Sequence, residues 1–203
     1  MTEDQESRQK ILDAAFAEFA DKGFRGATIK SIAQRAELQS PSLIYWYFAT
    51  KEALFQAAIQ SHSPFAEVVL DPAPLLDTPP DVVLTQLAQS YLYYMSQPNI
   101  QNLMRLLLSE LGKRPQLAEL VSQGLMEPVL DFLQTYLTHQ IEMGRLRPHD
   151  VRFSARALIG LMAPQVFGLL FFPGLRLDGV PNDTYVQTMF DIFLTGLRPS
   201  AEG

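Results

Sequence analysis

Apolar residues recur at helical spacing at Ile11, Ala14, Ala15, Phe19 and Ala20, inside a stretch from about Ser7 to Lys22 that is otherwise rich in charge. That stripe predicts an amphipathic helix, and Gly23 follows as the residue that ends it. Thr28 is then a cap for a second helix, on which Ile29, Ile32, Ala33 and Ala36 share one face. Glu37, Leu38 and Gln39 form a bend. Ser40 caps a very short third helix with Pro41 at its first position, and that helix ends in the aromatic run Tyr45, Trp46, Tyr47, Phe48. Thr50 caps the next helix, which starts at Lys51. Helices this short bury little by themselves. They must lean on the first helix, and one face of the third stays available to something outside. Long helix, short helix, turn, short helix is the build of a helix-turn-helix reading head.

Beyond it the pattern stays helical. Residues 51–63 read as a connecting helix. Pro64, Pro72, Pro74, Pro79 and Pro80 break up residues 64–81, which read as a linker or loop. Asp81 caps a helix to about Ser96, Pro98 starts one to about Gly112, and Pro115 opens a short one. Glu127 or Pro128 begins a helix that reaches Gly144, and Pro148 opens a long one to about Phe172, bent at Pro164. After a loop with Pro173, Gly174, Gly179 and Pro181, the last helix runs from about Asp183 to Leu197. Sustained period-two alternation and fixed-period repeats are absent from the sequence, so the chain reads as all-α. Residues 1–50 form the three-helix helix-turn-helix unit, and residues 51–203 form a larger helical bundle.

In this order, Arg8, Ile11, Leu12, Ala14, Ala15, Phe19, Gly23, Phe24, Thr28, Ile29, Ile32, Ala33, Ala36, Ile44, Tyr45, Tyr47, Phe48, Lys51, Glu52 and Leu54 resemble the TetR family of bacterial transcriptional regulators (TetR/AcrR type). The resemblance covers residues 8 to 55, roughly a quarter of the chain. It departs from the family in two places. Glu37 stands where many members have Gly, and the turn holds one more residue when aligned backward from Tyr45. The resemblance implies a DNA-binding head followed by an effector-binding and dimerisation domain.

Charge supports a localised polyanion contact. The whole chain carries a net charge of −6, so it is no generic binder of nucleic acid. From Lys22 to Lys51, however, five basic residues (Lys22, Arg25, Lys30, Arg35, Lys51) face one acidic residue, Glu37, a local +4. From Gln56 onward nine basic residues stand against fourteen acidic ones, a local −5. Phosphate attraction is thus concentrated on the N-terminal unit.

Roles follow from position. Thr28, at a helix N-terminus, can hold a phosphate through its hydroxyl and the backbone N–H groups. Tyr45 and Tyr47 offer hydroxyls to phosphates, and Lys51 resembles the family's phosphate-binding lysine. Ser40, Ser42 and Trp46 face base edges. The third helix holds no Arg, Asn or Gln, the commonest base readers, though Gln39 precedes it. Specificity therefore leans on methyl contacts and DNA shape. Leu43 or Ile44, together with Phe48, belongs to the core.

The resemblance also implies an effector pocket in the C-terminal part. Its candidate lining is Tyr91, Tyr94, Met95, Met104, Leu108, Met126, Phe132, Tyr136, Phe167 and Phe171, with Arg105 and Gln165 as polar anchors. Glu110 and His139 are further polar candidates. For most of these residues ordinary core is the competing reading. Dimerisation is expected on the last two helices, through Val151, Ala155, Leu158, Leu161, Met162, Phe190, Phe193 and Leu194.

Other chemistry finds little support. The chain has no Cys, which removes disulfides, thiolate metal sites and Cys nucleophiles. His62, His139 and His149 show no ligand spacing, and neither a Gly-rich phosphate loop nor a Gly-x-Ser-x-Gly occurs. No catalytic residue, metal or cofactor is expected. The polar start, Thr2 to Lys10, predicts no signal peptide, and the apolar run Ala157 to Phe172 is short for a membrane span. The expectation is a cytoplasmic, dimeric, ligand-responsive regulator, most simply a repressor. It would bind a near-palindromic operator and be released by a small apolar or amphipathic effector. The alternatives are a helical adaptor that binds protein and, with less behind it, a helical enzyme using the apolar pocket.

Overall fold

Twelve α-helices, one π-turn and one 3-10 turn account for the regular structure of the computed structural model, which describes residues 3–177 and 179–199. Among the described residues there is no strand. The helices are α1 (Glu3–Gly26), α2 (Ile29–Arg35), α3 (Ser42–Tyr47), α4 (Lys51–Ser61), α5 (Ala66–Leu70) and α6 (Ala73–Leu76). They continue as α7 (Pro80–Ser96), α8 (Pro98–Leu111), α9 (Pro115–Val121), α10 (Glu127–Glu142), α11 (Val151–Leu170) and α12 (Asn182–Thr195). The all-α expectation holds.

Prolines mark beginnings more than breaks. Pro80, Pro98 and Pro115 are the first residues of α7, α8 and α9, where a missing N–H costs nothing. The same chemistry corrects the expected linker, because residues 64–81 hold two short helices. Carbonyls at the end of α6 are taken up by α10: Gln140 donates to Leu76 O at 2.6 Å and Tyr136 to Thr78 O at 2.7 Å. Asp81 lies inside the first turn of α7 and is not its cap. α11 starts after Pro148, with Asp150 accepting from Arg152 N–H at 3.0 Å, and it continues through Pro164. The Arg152 guanidinium, and after it that backbone hydrogen bond, hold the Asp150 carboxyl's pKa down at about 2.

The described residues form two compact units, residues 1–63 with 97–127 and residues 64–96 with 128–203. In the first, α1 packs against α2, α4 and α8, and its core centres on Ile11, Leu12, Phe19, Ile32, Ile44, Leu54 and Phe55. Residue 51 begins α4, which belongs to this same unit. The π-turn Ser122–Met126 also packs against α4. A Cβ at Gly124 would lie 2.7 Å from Gln56 Cγ, so a larger residue there would force the Gln56 side chain to move. In the second unit α7 packs against α11 and α12 around Leu92, Leu137, Tyr136, Ala155 and Val186. α11 is long and apolar enough to cross a membrane by length and composition. Here Ala155, Leu158 and Met162 on it join the core, as in a core helix of a globular unit.

Candidate nucleic-acid interface

The turn between α2 and α3 sets the geometry of the head. Thr28 caps α2: its hydroxyl accepts from Ser31 N–H at 3.0 Å, and Ser31 Oγ accepts from Thr28 N–H at 3.0 Å. α2 ends at Arg35 with Ala36 as its C-cap, and Glu37 follows with φ 53°, the left-handed region. Glycine adopts that region at no steric cost, so a non-glycine residue here is uncommon. The Glu37 carboxylate is 3.2 Å from Lys10 of α1. α3 itself begins at Ser42, one residue later than expected, because Pro41 is the flanking residue. Ser40 Oγ still accepts from Ser42 N–H, at 3.3 Å.

α3 has two faces. Ile44 and, just past the helix, Phe48 are buried against the unit's core. Ser42, Leu43, Tyr45 and Trp46 point outward, with Trp46 83% exposed, Tyr45 54% and Leu43 45%. Of the pair Leu43 and Ile44, the core therefore takes Ile44. The Tyr47 hydroxyl donates to Asp4 Oδ1 of α1 at 2.8 Å, and that bond raises its pKa. A phenol held by a carboxylate is a poorer phosphate donor than the sequence suggested.

α4 is capped by Thr50, which accepts from Ala53 N–H at 3.0 Å. Lys51 at its start is half-buried, with Nζ 4.6 Å from the centre of the Phe24 ring. Burial pushes the lysine's pKa down. Phe24 reaches this place because α1 breaks at Gly23 (φ 68°, ψ 172°), and it packs 5.0 Å from Phe55 and 5.9 Å from Phe19.

The linear charge count needs correcting by the fold. Glu18 on α1 is buried and takes both Lys22 and Arg35, the latter at 3.0 Å, and Arg35 also meets Asp21 at 2.7 Å. Burial alone would raise the Glu18 pKa. Hydrogen bonds from Lys22 and Ser31, with the Lys22 and Arg35 charges, outweigh it and hold the carboxyl below its usual range. Arg35 thus ties α2 to α1 and Lys22 is held within α1, while Arg25, Lys30, Thr28 and Gln39 stand exposed around the head. Counting only from Lys22 onward missed the carboxylates of the helix before it.

Residues 11–58 match the family described as bacterial regulatory proteins, tetR family. Residues 82–196 match the AefR-like transcriptional repressor, C-terminal domain. The chain belongs to the TetR family of transcriptional regulators. The regulator UidR of Escherichia coli K12 is 43% identical over 58 residues, 29% of this chain and 29% of that protein. The chain thus matches less than a third of that relative's length. A TetR-family regulator from Mesorhizobium loti MAFF303099 has the same fold, with TM-score 0.77 and 22% identity over 98% of this chain and 100% of that one. FadR of Bacillus subtilis, solved in complex with stearoyl-CoA, has TM-score 0.70 and 16% identity over 93% of this chain and 98% of that one. Both TetR-family models thus fall on this one chain, one on the head and one on the helices that follow it.

The expected pocket residues divide between the units. Met104, Arg105, Leu108 and Met126 belong to the unit that holds the head. Tyr91, Tyr94, Met95, Phe132, Tyr136, Gln165, Phe167 and Phe171 belong to the other. There Tyr91 stacks on Phe65 at 5.6 Å and Phe132 on Tyr136 at 5.9 Å. Burial raises the hydroxyl pKa values of Tyr91, Tyr94 and Tyr136. Gln165 is buried, and its Oε1 has no hydrogen-bond partner among the described residues. Phe167 and Phe171 are exposed, which removes them from an enclosed lining.

The expected dimer face is corrected too. Ala155, Leu158, Met162, Phe190 and Leu194 are buried in their own unit, and Val151, Leu161 and Phe193 pack against them. Apolar periodicity finds the face of a helix that is buried, and here that face lies against α7 and its neighbours. The outward faces carry other residues: Phe153 (73% exposed), Ile159 and Gly160 on α11, and Ile192 (63%) on α12.

Proposed function

We propose that the protein is a cytoplasmic, dimeric repressor that binds a near-palindromic operator and is released by a small apolar or amphipathic effector. The observation that carries this reading is α3: a six-residue helix with an aromatic outer face, set between α2 and α4, which Thr28 and Thr50 cap. Trp46, Tyr45, Ser42, Ser40 and Gln39 approach base edges, while Thr28 and Lys51 hold phosphates. Residues 1–50 carry the reading, and residues 51–203 carry effector binding and dimerisation.

One head covers one half-site, so two-fold pairing matches an inverted repeat. Phe153, Ile159 and Ile192 on the outward faces of α11 and α12 supply the apolar surface for that pairing. Met95, Phe132 and the tyrosines Tyr91 and Tyr94 favour an adaptable apolar site. The unpaired buried oxygen of Gln165 favours an effector that brings a hydrogen-bond donor. The stearoyl-CoA bound to FadR is a molecule of the amphipathic class proposed here.

An effector releases DNA only through unequal affinity for two states, and bound DNA must weaken effector binding by the same factor. Tenfold release requires about 1.4 kcal/mol of coupling. The test is selection of bound sequences from random duplex DNA at about 150 mM salt, where non-specific binding is suppressed. Enrichment of an inverted repeat supports the reading. A folded protein that enriches no sequence argues for the adaptor.

A further inference from the structure

α3 presents Ser42, Leu43, Tyr45 and Trp46 to the outside, and these four include no arginine, lysine, asparagine or glutamine. The bidentate pairings that read guanine and adenine therefore have no donor on this face. What the face does carry is apolar area, from Trp46 and from Leu43. Ile44 fills the core position, so Leu43 is released from that duty. In the major groove the apolar group that a base pair offers is the C5-methyl of thymine. Leu43 and Trp46 stand three residues apart on one helix face, with Cβ atoms about 5–6 Å from each other. That separation covers between one and two base-pair steps of about 3.4 Å.

We propose that Leu43 and Trp46 are specificity-determining residues that read the C5-methyl groups of two thymines, one or two steps apart, in each half-site. This rests on the operator-binding function proposed above. Ser42, with Oγ 2.7 Å from Ser40 Oγ, and the Tyr45 hydroxyl supply polar contacts beside the methyl pair. The consensus is then marked by thymines under the middle of α3 and not by guanines read through a fork of donors.

The operator recovered by selection is synthesised with thymine and again with deoxyuridine in the half-sites. Deoxyuridine removes the methyl and keeps every hydrogen-bonding group of the base. Burial of one methyl corresponds to about fourfold in affinity. Four methyls over two half-sites should therefore weaken wild-type binding on the order of a hundredfold or more. Leu43→Ala should lose only on the order of tenfold to the same replacement, because one methyl contact per half-site is already gone. Leu43→Met keeps the apolar contact and should keep the wild-type sensitivity. Leu43 is half-exposed, and helical circular dichroism checks that both variants are folded. Equal losses for wild type and Leu43→Ala, or no loss for wild type, overturn methyl reading and leave operator binding standing. A consensus without thymine in the half-sites overturns it equally. Selection of no sequence removes the operator-binding reading itself, and this proposal with it.

Discussion

Gly23→Ala isolates the backbone strain that shapes the head. Gly23 has φ 68° and ψ 172°, a region that essentially only glycine occupies. A Cβ built there meets nothing closer than 3.7 Å, from Leu106 of α8, so the substitution causes no clash. The cost is conformational, about 1–3 kcal/mol for a residue held in such a region. Against it stands about 0.4–1 kcal/mol gained because alanine has fewer unfolded conformations to lose. The net expectation is a loss of about 1–2 kcal/mol, or about 2–8 °C in thermal midpoint for a chain of this size. Gly112→Ala is the internal control. Gly112 lies in the same unit, has φ −66°, and has nothing within 4 Å of a built Cβ. That variant should gain about 0.4–1 kcal/mol. Both are measured by urea unfolding, followed by circular dichroism and by the fluorescence of Trp46, and the fits are compared only where the two probes coincide. Gly23→Ala as stable as wild type would refute the reasoning, as would Gly112→Ala losing as much as Gly23→Ala.

Three other expectations follow from the same geometry. Glu18→Gln should cost about 1.5–3 kcal/mol near neutral pH, from the charged hydrogen bonds to Lys22, Arg35 and Ser31. Because folding lowers the Glu18 pKa, its contribution is complete above the unfolded value of about 4.3 and is lost as pH falls through the folded value. Acid titration of wild-type stability should therefore steepen below about pH 4.5, and a curve of unchanged shape in Glu18→Gln would count against the cluster. Lys51→Ala should weaken binding to all duplexes and flatten the slope of log K against log salt by about one unit; an unchanged slope means that Lys51 meets no phosphate. Phe153→Asp with Ile192→Asp, both outward and exposed, should yield monomers in sedimentation, whereas a dimer that survives both charges would place the interface elsewhere.

Much of the head was legible in the sequence because its signals are local. Thr28 and Thr50 cap the helices that follow them, Gly23 breaks α1, and Ile44 and Phe48 sit one turn apart on the buried side of α3. Each depends on a hydrogen bond within three or four residues or on the pitch of one helix. The family pattern rests on those same positions. The bounds of α8, α9 and α12 came within a few residues for the same reason. The helices within residues 64–81 were hidden because proline starts helices as well as ending them.

The tertiary structure decided what depends on distant partners. Periodicity marks a helix's apolar face without saying what covers it. Ala155, Leu158, Phe190 and Leu194 went to the core, and Phe153 and Ile192 to the outside, when α7 packed against both helices. Net charge along a segment ignores carboxylates from other helices, so Glu18 and Asp21 changed the meaning of Arg35. The close approach at Gly124 was unreadable because the side chain it meets, Gln56, lies far off in sequence. Local chemistry, written in the order of residues, determined the helices and the family; the choice of which faces meet required every helix at once.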